Sequence, residues 1–456
     1  MRYLLGVDIG TSGTKAILTD ETGHVAARAT HEYPLYAPKP LWSEQDPKDW
    51  WTATCLAVRD VIAQSGVAAG DISGIGLSGQ MHGSVFLGEG NEVLRPAILW
   101  NDQRTQAQCD WITDTVGRER VVEETLNPVL TGFTAGKIVW VRDHEPDIYR
   151  RIRKVLLPKD YVRLLLTGEY ATEVSDASGT SLFNVGKREW SDVMLNGSGI
   201  PREWMPPAYE SPEVSGRITD EAAAATGLAP GTPVVGGGGD QAAGAVGNGV
   251  VETGIVSSTV GTSGVVFAFA DTPLMDPGLR LHTFCHAVPD KWHLMGVMLS
   301  AGGSLQWYRD TFCDAEKEKA AAMGTDPYEV MTAGAAEVPV GCEGLIFLPY
   351  LTGERTPHPD PHARGVFFGI TRRCDKRYFT RAIMEGVAFG LRDSLEIMRD
   401  MKLPIVQVRA SGGGARSPLW RSIQTDVTGI PHVTINVDEG PALGAALLAG
   451  VGTGVY

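Results

Sequence analysis

The chain has 456 residues, of which 43% are hydrophobic and 21% are charged, and its formal net charge at pH 7 is −14. The length predicts two or three domains, and the composition is typical of a globular protein with a large core. Nucleic acids and anionic membranes are themselves negative, so this charge argues against either as the main partner. A phosphorylated ligand remains compatible with it if backbone amides and a metal ion supply a local positive field.

The six cysteines are scattered, and none forms a Cys-x-x-Cys pair. In a chain of this length they indicate reduced thiols and predict a cytoplasmic protein. No signal peptide is expected, because Asp8 interrupts the N-terminal apolar run. The uncharged stretch 253–270 is rich in Gly, Ser and Thr, so it fits a buried hairpin better than a membrane span.

The N-terminal sequence predicts a β-hairpin, in which one apolar run ends at Asp8 and a second begins at Ala16. Between them lies the turn Gly-Thr-Ser-Gly at residues 10–13. Such a turn can direct backbone N–H groups toward a phosphate, and Asp8 can supply a carboxylate oxygen to Mg²⁺. An ordinary hairpin explains the same residues equally well, so this stretch alone leaves both interpretations open.

Apolar periodicity and capping signals predict the remaining elements of the first half. The pair Asp46-Pro47 marks a helix start, and Trp51, Cys55, Val58 and Ile62 form its predicted apolar face. Further helices are predicted at 105–115, 136–144, 158–166 and 219–226, and short strands at 72–77, 96–99 and 234–235. A linker is expected at about 247–252.

The second half opens with the same pattern as the first. Two apolar runs, 255–260 and 265–269, flank a second Gly-Thr-Ser-Gly turn at residues 261–264. This repeat suggests two lobes built on related plans, each presenting a turn to the cleft between them. Later helices are predicted at 304–311, 378–401 and 441–448, and later strands at 344–348 and 405–410. The alternation of strands and helices predicts α/β layers.

Three glycine-rich turns follow apolar strands, at Gly10, Gly261 and Gly412. Glycine lacks a Cβ and tolerates positive φ, so each turn can approach a nucleotide closely. None is a Walker loop, and none is a good dinucleotide fingerprint. Because ligands of open α/β sheets bind beyond the carboxyl ends of strands, three such turns favour a nucleotide site over plain loops.

Asp240 is a second candidate acid, since it follows four glycines at the end of an apolar strand. A carboxylate held there can accept the proton of a substrate hydroxyl that attacks a γ-phosphoryl group. The simpler interpretation is that Asp240 is the N-cap of a helix from Gln241, and the two roles are compatible.

Two polar segments are candidate sugar contacts. His82, in the pair Met81-His82, can hydrogen-bond a sugar hydroxyl, although a lone histidine is more often structural. The segment Trp100-Asn101-Asp102-Gln103-Arg104 is a candidate polyol-binding set, or else a capped helix start at Asp102. Other tryptophans, including Trp50, Trp51 and Trp307, are interpreted as core. No zinc-ligand spacing and no Gly-x-Ser-x-Gly elbow occur.

Taken together, these residues resemble the FGGY family of carbohydrate kinases, within the actin/Hsp70/hexokinase ATPase superfamily, over essentially the whole chain. The segment 8–15 resembles the first phosphate loop of that superfamily, residues 261–264 the second, and 411–417 its adenosine motif. The segments 78–83, 239–241 and 349–365 look most like the xylulose-phosphorylating members. An Arg-Glu pair typical of glycerol kinases is absent from the corresponding region.

The resemblance implies an α/β fold with two ribonuclease H-like lobes and a cleft between them, an N-terminal lobe at 1–248 and a nucleotide-binding lobe at 249–456. It implies ATP-dependent phosphorylation of D-xylulose at O5 in xylose catabolism, with Mg²⁺. Asp240 would be the general base, and Asp8 would organise the metal and matter for activity, with both carboxylates as metal candidates. A homodimer is a further family-based expectation.

The resemblance also implies contacts for the two substrates. The sugar contacts would be Met81, His82, Asp240, Gln241, Asn101, Asp102 and Arg104. The ATP contacts would be Gly10, Thr11, Ser12, Thr14, Lys15, Gly261, Thr262, Gly302, Gln306, Gly413, Gly414 and Ser417. Similar chains usually run a few dozen residues past the final helix, whereas this one ends at Tyr456, so a truncated C-terminus is one interpretation.

Two alternatives remain open on the sequence. One is another sugar kinase of the same fold, acting on ribulose, fuculose or gluconate. The other is an actin- or Hsp70-like nucleotide switch that binds partners. The pair Met81-His82 and the lack of an appended peptide-binding domain argue against the switch.

Overall fold

A computed structural model describes residues 1–436 and 439–456. The chain divides into two compact units. Unit 1 comprises Met1–Gly249, Thr283–Trp292 and Glu439–Tyr456, and unit 2 comprises Val250–His282 with the described residues from His293 to 436. This division differs from the predicted lobes 1–248 and 249–456, because residues 283–292 and the last helix belong with unit 1.

The strands of the described residues are short outside the two main sheets. They are β1 (Tyr3–Ile9), β2 (Gly13–Asp20), β3 (Val25–Glu32), β4 (Glu44–Gln45), β5 (Ile72–Gly79), β6 (Val85–Leu87), β7 (Ala97–Ile98), β8 (Lys154–Leu156), β9 (Thr172–Glu173), β10 (Phe183–Asn184), β11 (Glu189–Trp190), β12 (Ala208–Tyr209), β13 (Val214–Arg217), β14 (Pro233–Val235), β15 (Gly238–Gly239), β16 (Gly254–Val260), β17 (Gly264–Ala270), β18 (His282–Cys285), β19 (Trp292–Met298), β20 (Ile346–Leu348), β21 (Val366–Phe368), β22 (Ile405–Ser411) and β23 (His432–Val433).

The α-helices lie between and after these strands, in several places as consecutive helices, as at residues 106–151 and 302–336. They are α1 (Pro47–Ser65), α2 (Gln106–Val116), α3 (Arg118–Thr125), α4 (Thr134–His144), α5 (Pro146–Arg151), α6 (Pro158–Thr167), α7 (Val174–Ala177), α8 (Asp192–Ser198), α9 (Asp220–Thr226), α10 (Asp240–Gly247), α11 (Gly302–Phe312), α12 (Asp314–Met323), α13 (Pro327–Ala336), α14 (Lys376–Asp400), α15 (Gly413–Arg416), α16 (Pro418–Thr428) and α17 (Pro441–Gly452). Short 3-10 turns occur at Ala69–Asp71, Glu89–Asn91, Ser178–Thr180, Arg202–Trp204 and Cys342–Gly344.

The main sheet of unit 1 has the strand order β13-β14-β5-β1-β2-β3, and β15 also pairs with β5. The hairpin β1–β2 is antiparallel, whereas β5 runs parallel to β1. Side chains alternate between the two faces of a strand. Accordingly, Leu5 and Val7 of β1 join the core that contains Trp50 of α1, while Leu4 joins a second core with Ala446 of α17.

Helix α17 lies very close to the sheet of unit 1. A Cβ at Gly6 or Gly76 would collide with the backbone of this helix, at the carbonyls of Ala442 and Ala445. Only glycine permits that approach, and the Ala-rich sequence of α17 offers equally small side chains. Close packing against β1 and β5 therefore assigns the C-terminal helix to unit 1.

The main sheet of unit 2 contains the run β19-β17-β16-β22-β23. Strands β16 and β17 form an antiparallel hairpin, and β22 runs parallel to β16. The run β3-β2-β1-β5-β14 of unit 1 has the same arrangement, with an antiparallel hairpin flanked by a parallel strand. The repeat predicted from the two turns thus extends to the order of the surrounding strands.

Most predicted elements are confirmed, with two corrections. The buried face of α1 is formed by residues that include Trp50, Ala57 and Val61, whereas Trp51, Cys55 and Ile62 are only partly buried. The tryptophan of α11, Trp307, is 36% exposed rather than in the core. Among the described residues, no helix has the length and apolarity needed to cross a membrane.

Candidate active site

The first hairpin places Asp8 beside two polar neighbours. In the register of the sheet, Asp8 pairs with Lys15 on β2 and with Ser78 on β5. Desolvation raises the pKa of Asp8 to about 6, and the neighbouring Ser78 and Lys15 act in the opposite direction. Within the described part of the chain, Asp8 Oδ1 is enclosed and has no hydrogen-bond partner. A buried carboxylate oxygen without a partner fits a cation ligand.

Side chains hold the turn at residues 10–13 in place. The Tyr33 hydroxyl donates to the Gly10 carbonyl at 2.5 Å, and the Gln45 amide donates to the Thr11 carbonyl at 2.7 Å. The Trp100 indole N–H donates to Thr11 Oγ1 at 3.0 Å. Sequence reasoning did not assign these roles to Tyr33, Gln45 or Trp100, because no local pattern connects them to the turn. Thr14 is buried, whereas Ser12 is exposed.

Lys15 forms an ion pair that the sequence did not predict. Its Nζ lies 2.5 Å from Glu439 Oε2, and Arg28 Nη1 lies 2.5 Å from Glu439 Oε1. The two cations counter desolvation and lower the pKa of Glu439. The Lys15 side chain is nevertheless 29% exposed, so this candidate phosphate contact is held in a fixed place at the surface of unit 1.

Asp240 lies at the first position of α10, whose N-cap is Gly239. The interpretation of Asp240 as the N-cap is therefore wrong, because the helix begins at Asp240 itself. Desolvation and the negative charge of Asp8 raise the pKa of Asp240 to about 7, while hydrogen bonds from Gln241 lower it. Like charges that are close in space oppose each other's ionisation, so unit 1 brings the two candidate acids together.

These two carboxylates fit the requirements of Mg²⁺. The ion is bound by one or two carboxylates and keeps several waters or phosphate oxygens. No group of three or more His, Cys, Asp or Glu residues suited to a metal occurs among the described residues. A site of two acids, one with an unpartnered oxygen, is thus compatible with Mg²⁺ but does not form an all-protein cage.

Met81 and His82 lie next to the Asp240 segment. A Cβ at Gly239 would lie 2.9 Å from Met81 Cγ, so the Met81 side chain packs directly on the residue before Asp240. His82 has a left-handed φ of 67°, its Nδ1 lies 2.7 Å from the Gly179 carbonyl oxygen, and its ring stacks on Phe133. A left-handed φ is uncommon outside glycine, and such positions are enriched at functional sites.

The buried side chain of Lys137 contacts the backbone of His82. Lys137 Nζ donates to the carbonyls of His82 and Gly132, each at 2.7 Å. Burial lowers the pKa of Lys137 to about 7, and the charge of Asp102 partly opposes this shift. A lysine inside a predicted helix gave no sequence signal of this contact.

In the segment 100–104, Asp102 and Arg104 form hydrogen bonds and ion pairs with other residues of the protein. Asp102 Oδ2 accepts from the Ser43 amide at 2.7 Å, and Arg104 Nε donates to Asp102 Oδ1 at 2.9 Å. Arg104 also pairs with Glu44, and its guanidinium lies 3.6 Å from the ring centroid of Trp42. These contacts favour a structural role for Asp102 and Arg104. Asp102 does not start a helix, because α2 begins at Gln106. Asn101 Oδ1 is enclosed and unpartnered within the described residues.

Unit 2 brings its candidate ATP residues together through backbone contacts. The amide of Gly302 donates to the Gly261 carbonyl at 2.8 Å, and that of Gly303 donates to the Thr262 carbonyl at 3.0 Å. A Cβ at Gly302 would collide with the Gly261 carbonyl. The N-terminus of α11 therefore packs on the second turn, and only glycine fits at the contact. Gln306, one turn further along, is exposed.

The third glycine turn contacts the same strand end in unit 2. Gly412 has a left-handed φ of 77°, and a Cβ there would lie 2.8 Å from the Val260 carbonyl oxygen. A Cβ at Gly414 would lie 2.5 Å from Val260 Cγ1. Ser417 is the N-cap of α16 and accepts from the Trp420 amide at 3.3 Å. Residues 412–414 and the second turn thus meet at Val260.

Two family models match most of the chain. The FGGY carbohydrate kinase N-terminal domain matches residues 3–247, and the corresponding C-terminal domain matches residues 256–453. The fold is the two-domain fold of sugar kinases of the actin/hexokinase-like ATPase type, as the sequence predicted. The chain belongs to the FGGY family of carbohydrate kinases.

Three relatives show how far the similarity extends. The chain is 45% identical over 447 residues to a xylulose kinase of Escherichia coli, covering 98% of this chain and 89% of the relative. A gluconokinase of Bacillus subtilis is 33% identical, with 99% of this chain and 88% of the relative covered. A solved xylulose kinase structure from Rhodospirillum rubrum superposes with a TM-score of 0.91 at 32% identity, covering 99% and 90% of the two chains.

Proposed function

We propose that this carbohydrate kinase transfers the γ-phosphoryl group of ATP to O5 of D-xylulose, giving D-xylulose 5-phosphate and ADP. The 45% identity to a relative named xylulose kinase supports the choice of sugar. The observation that carries the chemistry is the pair of carboxylates in unit 1, where burial and, to a lesser extent, the charge of Asp8 raise the pKa of Asp240 to about 7. A general base is most effective when its pKa lies near the working pH.

Asp240 is the base in this proposal. Its carboxylate accepts the proton of the sugar hydroxyl as the oxygen attacks the γ-phosphoryl group. A pKa of about 7 leaves a substantial ionised fraction at neutral pH and still provides a driving force for proton acceptance. The next residue, Gln241, lowers the pKa of this carboxylate and is its proposed orienting partner.

Asp8 and Asp240 would hold Mg²⁺, which, when bound, neutralises charge on the phosphate oxygens. The residues around Asp8 serve the phosphates in the same proposal. In unit 1, the proposed phosphate contacts are the backbone of the turn at 10–13 and the side chains of Thr14 and Lys15. The ion pair with Glu439 fixes the Lys15 ammonium in position.

Met81 and His82 are the proposed sugar contacts. Met81 is almost fully buried and packs on Gly239, which places an apolar surface beside the base. The Nδ1 of His82 is 2.7 Å from the Gly179 carbonyl, and this contact fixes the orientation of the ring. The amide oxygen of Asn101 is proposed to accept a hydrogen bond from a sugar hydroxyl. Asp102 and Arg104 are proposed to affect sugar binding only indirectly, through the shape of the site.

The glycines of unit 2 are the proposed nucleotide contacts. Gly261, Thr262 and Gly302 form one backbone cluster, and Gly413 and Gly414 lie beside it at Val260. The lack of side chains allows a nucleotide to approach this backbone closely. The substrates ATP and a free sugar, with six free cysteines, also lead us to propose a cytoplasmic enzyme, and the family resemblance leads us to propose a homodimer.

A coupled ADP-release assay tests the proposal. Purified protein with ATP and Mg²⁺ is expected to turn over with D-xylulose at a kcat/KM well above that with D-ribulose, L-fuculose or D-gluconate. A preference for gluconate would instead support the function of the 33% identical gluconokinase. ATP turnover that is indifferent to every sugar would contradict the kinase proposal and favour a nucleotide switch.

A further inference from the structure

Glu173 is a fully buried acid in unit 1 that the proposed mechanism does not use. It precedes the short helix α7 and caps it, because Oε2 accepts from the Ser175 amide at 2.7 Å and Oε1 accepts from the Asp176 amide at 2.9 Å. Oε2 also accepts from the Ser211 hydroxyl at 3.2 Å. The carboxylate is thus surrounded by donors on both oxygens.

The same carboxylate reaches the residue before Asp240. The Gly239 amide donates to Glu173 Oε1 and to Ser175 Oγ, each at 3.1 Å. Gly239 is followed directly by Asp240, so these two bonds hold the peptide group between Gly238 and Gly239, one residue before the candidate base.

Buried cations support this arrangement. Lys159 Nζ lies 3.5 Å from Glu173 Oε1, 2.8 Å from Asp160 Oδ1 and 3.0 Å from Asp176 Oδ2, and all four side chains are inaccessible to solvent. Arg163 donates to the carbonyls of Val235 and Gly236, each at 2.6 Å. The charged cluster therefore holds the glycine segment 236–239 at both of its ends.

The helix that Glu173 caps is followed by a turn that contacts His82, a candidate sugar contact. Helix α7 continues into the turn Ser178–Thr180, and the Gly179 carbonyl of this turn lies 2.7 Å from His82 Nδ1. A Cβ at Gly179 would collide with the His82 ring. By capping α7, Glu173 fixes the start of the segment that contacts His82.

We propose that Glu173 is a positioning residue for phosphoryl transfer, which holds the peptide before Asp240 and the turn that contacts His82 in one rigid arrangement. This role rests on the functions proposed above for Asp240 and His82. The effect on rate is expected to be large, because a misplacement of about 1 Å can cost about 10²-fold in catalysis.

The variant Glu173→Gln tests this role with little change in volume. A glutamine has a single acceptor oxygen, so it cannot serve both the donors at Oε1 and those at Oε2. Ser175→Ala is the milder second variant, since it removes one of the two acceptors of Gly239 and leaves Glu173 intact. The matched control is Glu124→Gln, because Glu124 accepts from Asn184 and Ser191 elsewhere in unit 1.

Two measurements are made on each variant in the full chain. The kcat with D-xylulose is expected to fall about 10- to 100-fold in Glu173→Gln, less in Ser175→Ala and not in Glu124→Gln, with the KM for ATP unchanged throughout. Amide hydrogen exchange in a peptide spanning residues 236–243 is expected to speed up in the same order. If Glu173→Gln does not fold, Ser175→Ala carries both measurements.

The two measurements separate this role from the proposed function. Unchanged kcat in Glu173→Gln, or an equal loss in Glu124→Gln, would overturn the positioning role. If the wild-type protein showed no turnover dependent on D-xylulose, the choice of sugar would fail. Faster exchange at 236–243 in Glu173→Gln would then still support Glu173 as the fixed contact of the Asp240 segment, and unchanged exchange would refute it.

Discussion

The two Gly-Thr-Ser-Gly turns have identical sequences but are held in different ways. In unit 1, the side chains of Tyr33 and Gln45 donate to the carbonyls of the turn at 10–13. In unit 2, backbone amides at the start of α11 donate to the carbonyls of the turn at 261–264. The first turn is therefore held mainly by side chains, together with the Tyr33 amide, which donates to the Ser12 carbonyl at 3.3 Å, and the second turn is held by backbone amides of α11.

The residue two positions before each turn makes the chemical difference. Asp8 stands before the first turn and pairs in register with Ser78, whereas Thr259 stands before the second and pairs with Ser411. Thr259 and Ser411 share a neutral hydrogen bond of 2.8 Å between their hydroxyls. The repeated backbone plan therefore carries acid chemistry only in unit 1, where a carboxylate occupies that position.

The largest effect is expected when the base beside the first hairpin is removed. Asp240→Asn keeps the size of the side chain but cannot accept the proton, so kcat is expected to fall about 10²- to 10⁴-fold, as is usual for loss of a general base. ATP binding, measured by calorimetry, is expected to persist because the nucleotide contacts lie elsewhere. A variant with nearly wild-type kcat would rule out the base assignment.

The second-largest effect is expected from substitution of Asp8, the residue that distinguishes the first turn from the second. Asp8→Asn is expected to lower kcat by about 10²-fold and to raise the Mg²⁺ concentration needed, because metal coordination supplies several kcal/mol to phosphoryl transfer. The equivalent change in unit 2, Thr259→Val, is expected to cost about 1 kcal/mol of stability through the lost hydrogen bond.

Steady-state kinetics across a Mg²⁺ titration, with thermal unfolding of both variants, checks this pair. The kcat of Thr259→Val is expected to stay near that of the wild-type protein. Equal losses of kcat in the two variants would break the comparison between the turns.

A smaller effect is expected at the backbone contact of the second turn. In Gly302→Ala the new Cβ collides with the Gly261 carbonyl, and overpacking of this kind costs about 1–3 kcal/mol. The second turn has to shift to relieve this collision, so the KM for ATP is expected to rise by about tenfold, the factor that corresponds to about 1.4 kcal/mol of binding free energy. Gly70→Ala is the control, because its Cβ would meet no atom within 4 Å. An unchanged KM would remove Gly302 from the nucleotide site.

The smallest expected effect is on the pH dependence of stability. The raised pKa of Asp240 means that the folded state holds its proton more tightly than the unfolded chain does. The contribution of Asp240 to the free energy of unfolding is therefore fully present below the ordinary pKa of an aspartate. It is lost as the pH rises through about 7, the pKa of Asp240 in the folded protein. The Tm advantage of Asp240→Asn over the wild-type protein is expected to be larger at pH 8 than at pH 5. An advantage that shrinks with pH would contradict the raised pKa.

Much of the fold was predictable from sequence because local signals encode local backbone. The strand–turn–strand pattern gave both hairpins, and Thr219 and Asp46 marked helix starts that the structure confirms. Short helices such as α3 and α8 were missed, since few apolar repeats fit within eight residues. The exposed face of Trp307 was also missed, because composition alone does not reveal which side of α11 meets solvent.

Within the candidate site, the sequence determined which residues adjoin the glycine-rich segments. Asp8 stands before the first turn, Asp240 follows four glycines, and the turns of unit 2 contain the remaining glycines. Only the tertiary structure placed Asp240 next to Asp8, paired Lys15 with Glu439, and turned Asp102 and Arg104 into an internal network. It also connected Glu173 to Gly239, 66 residues away in sequence. Hydrogen bonds and charge pairs at such separations depend on how the strands and helices pack, and no local pattern in the chain encodes that packing.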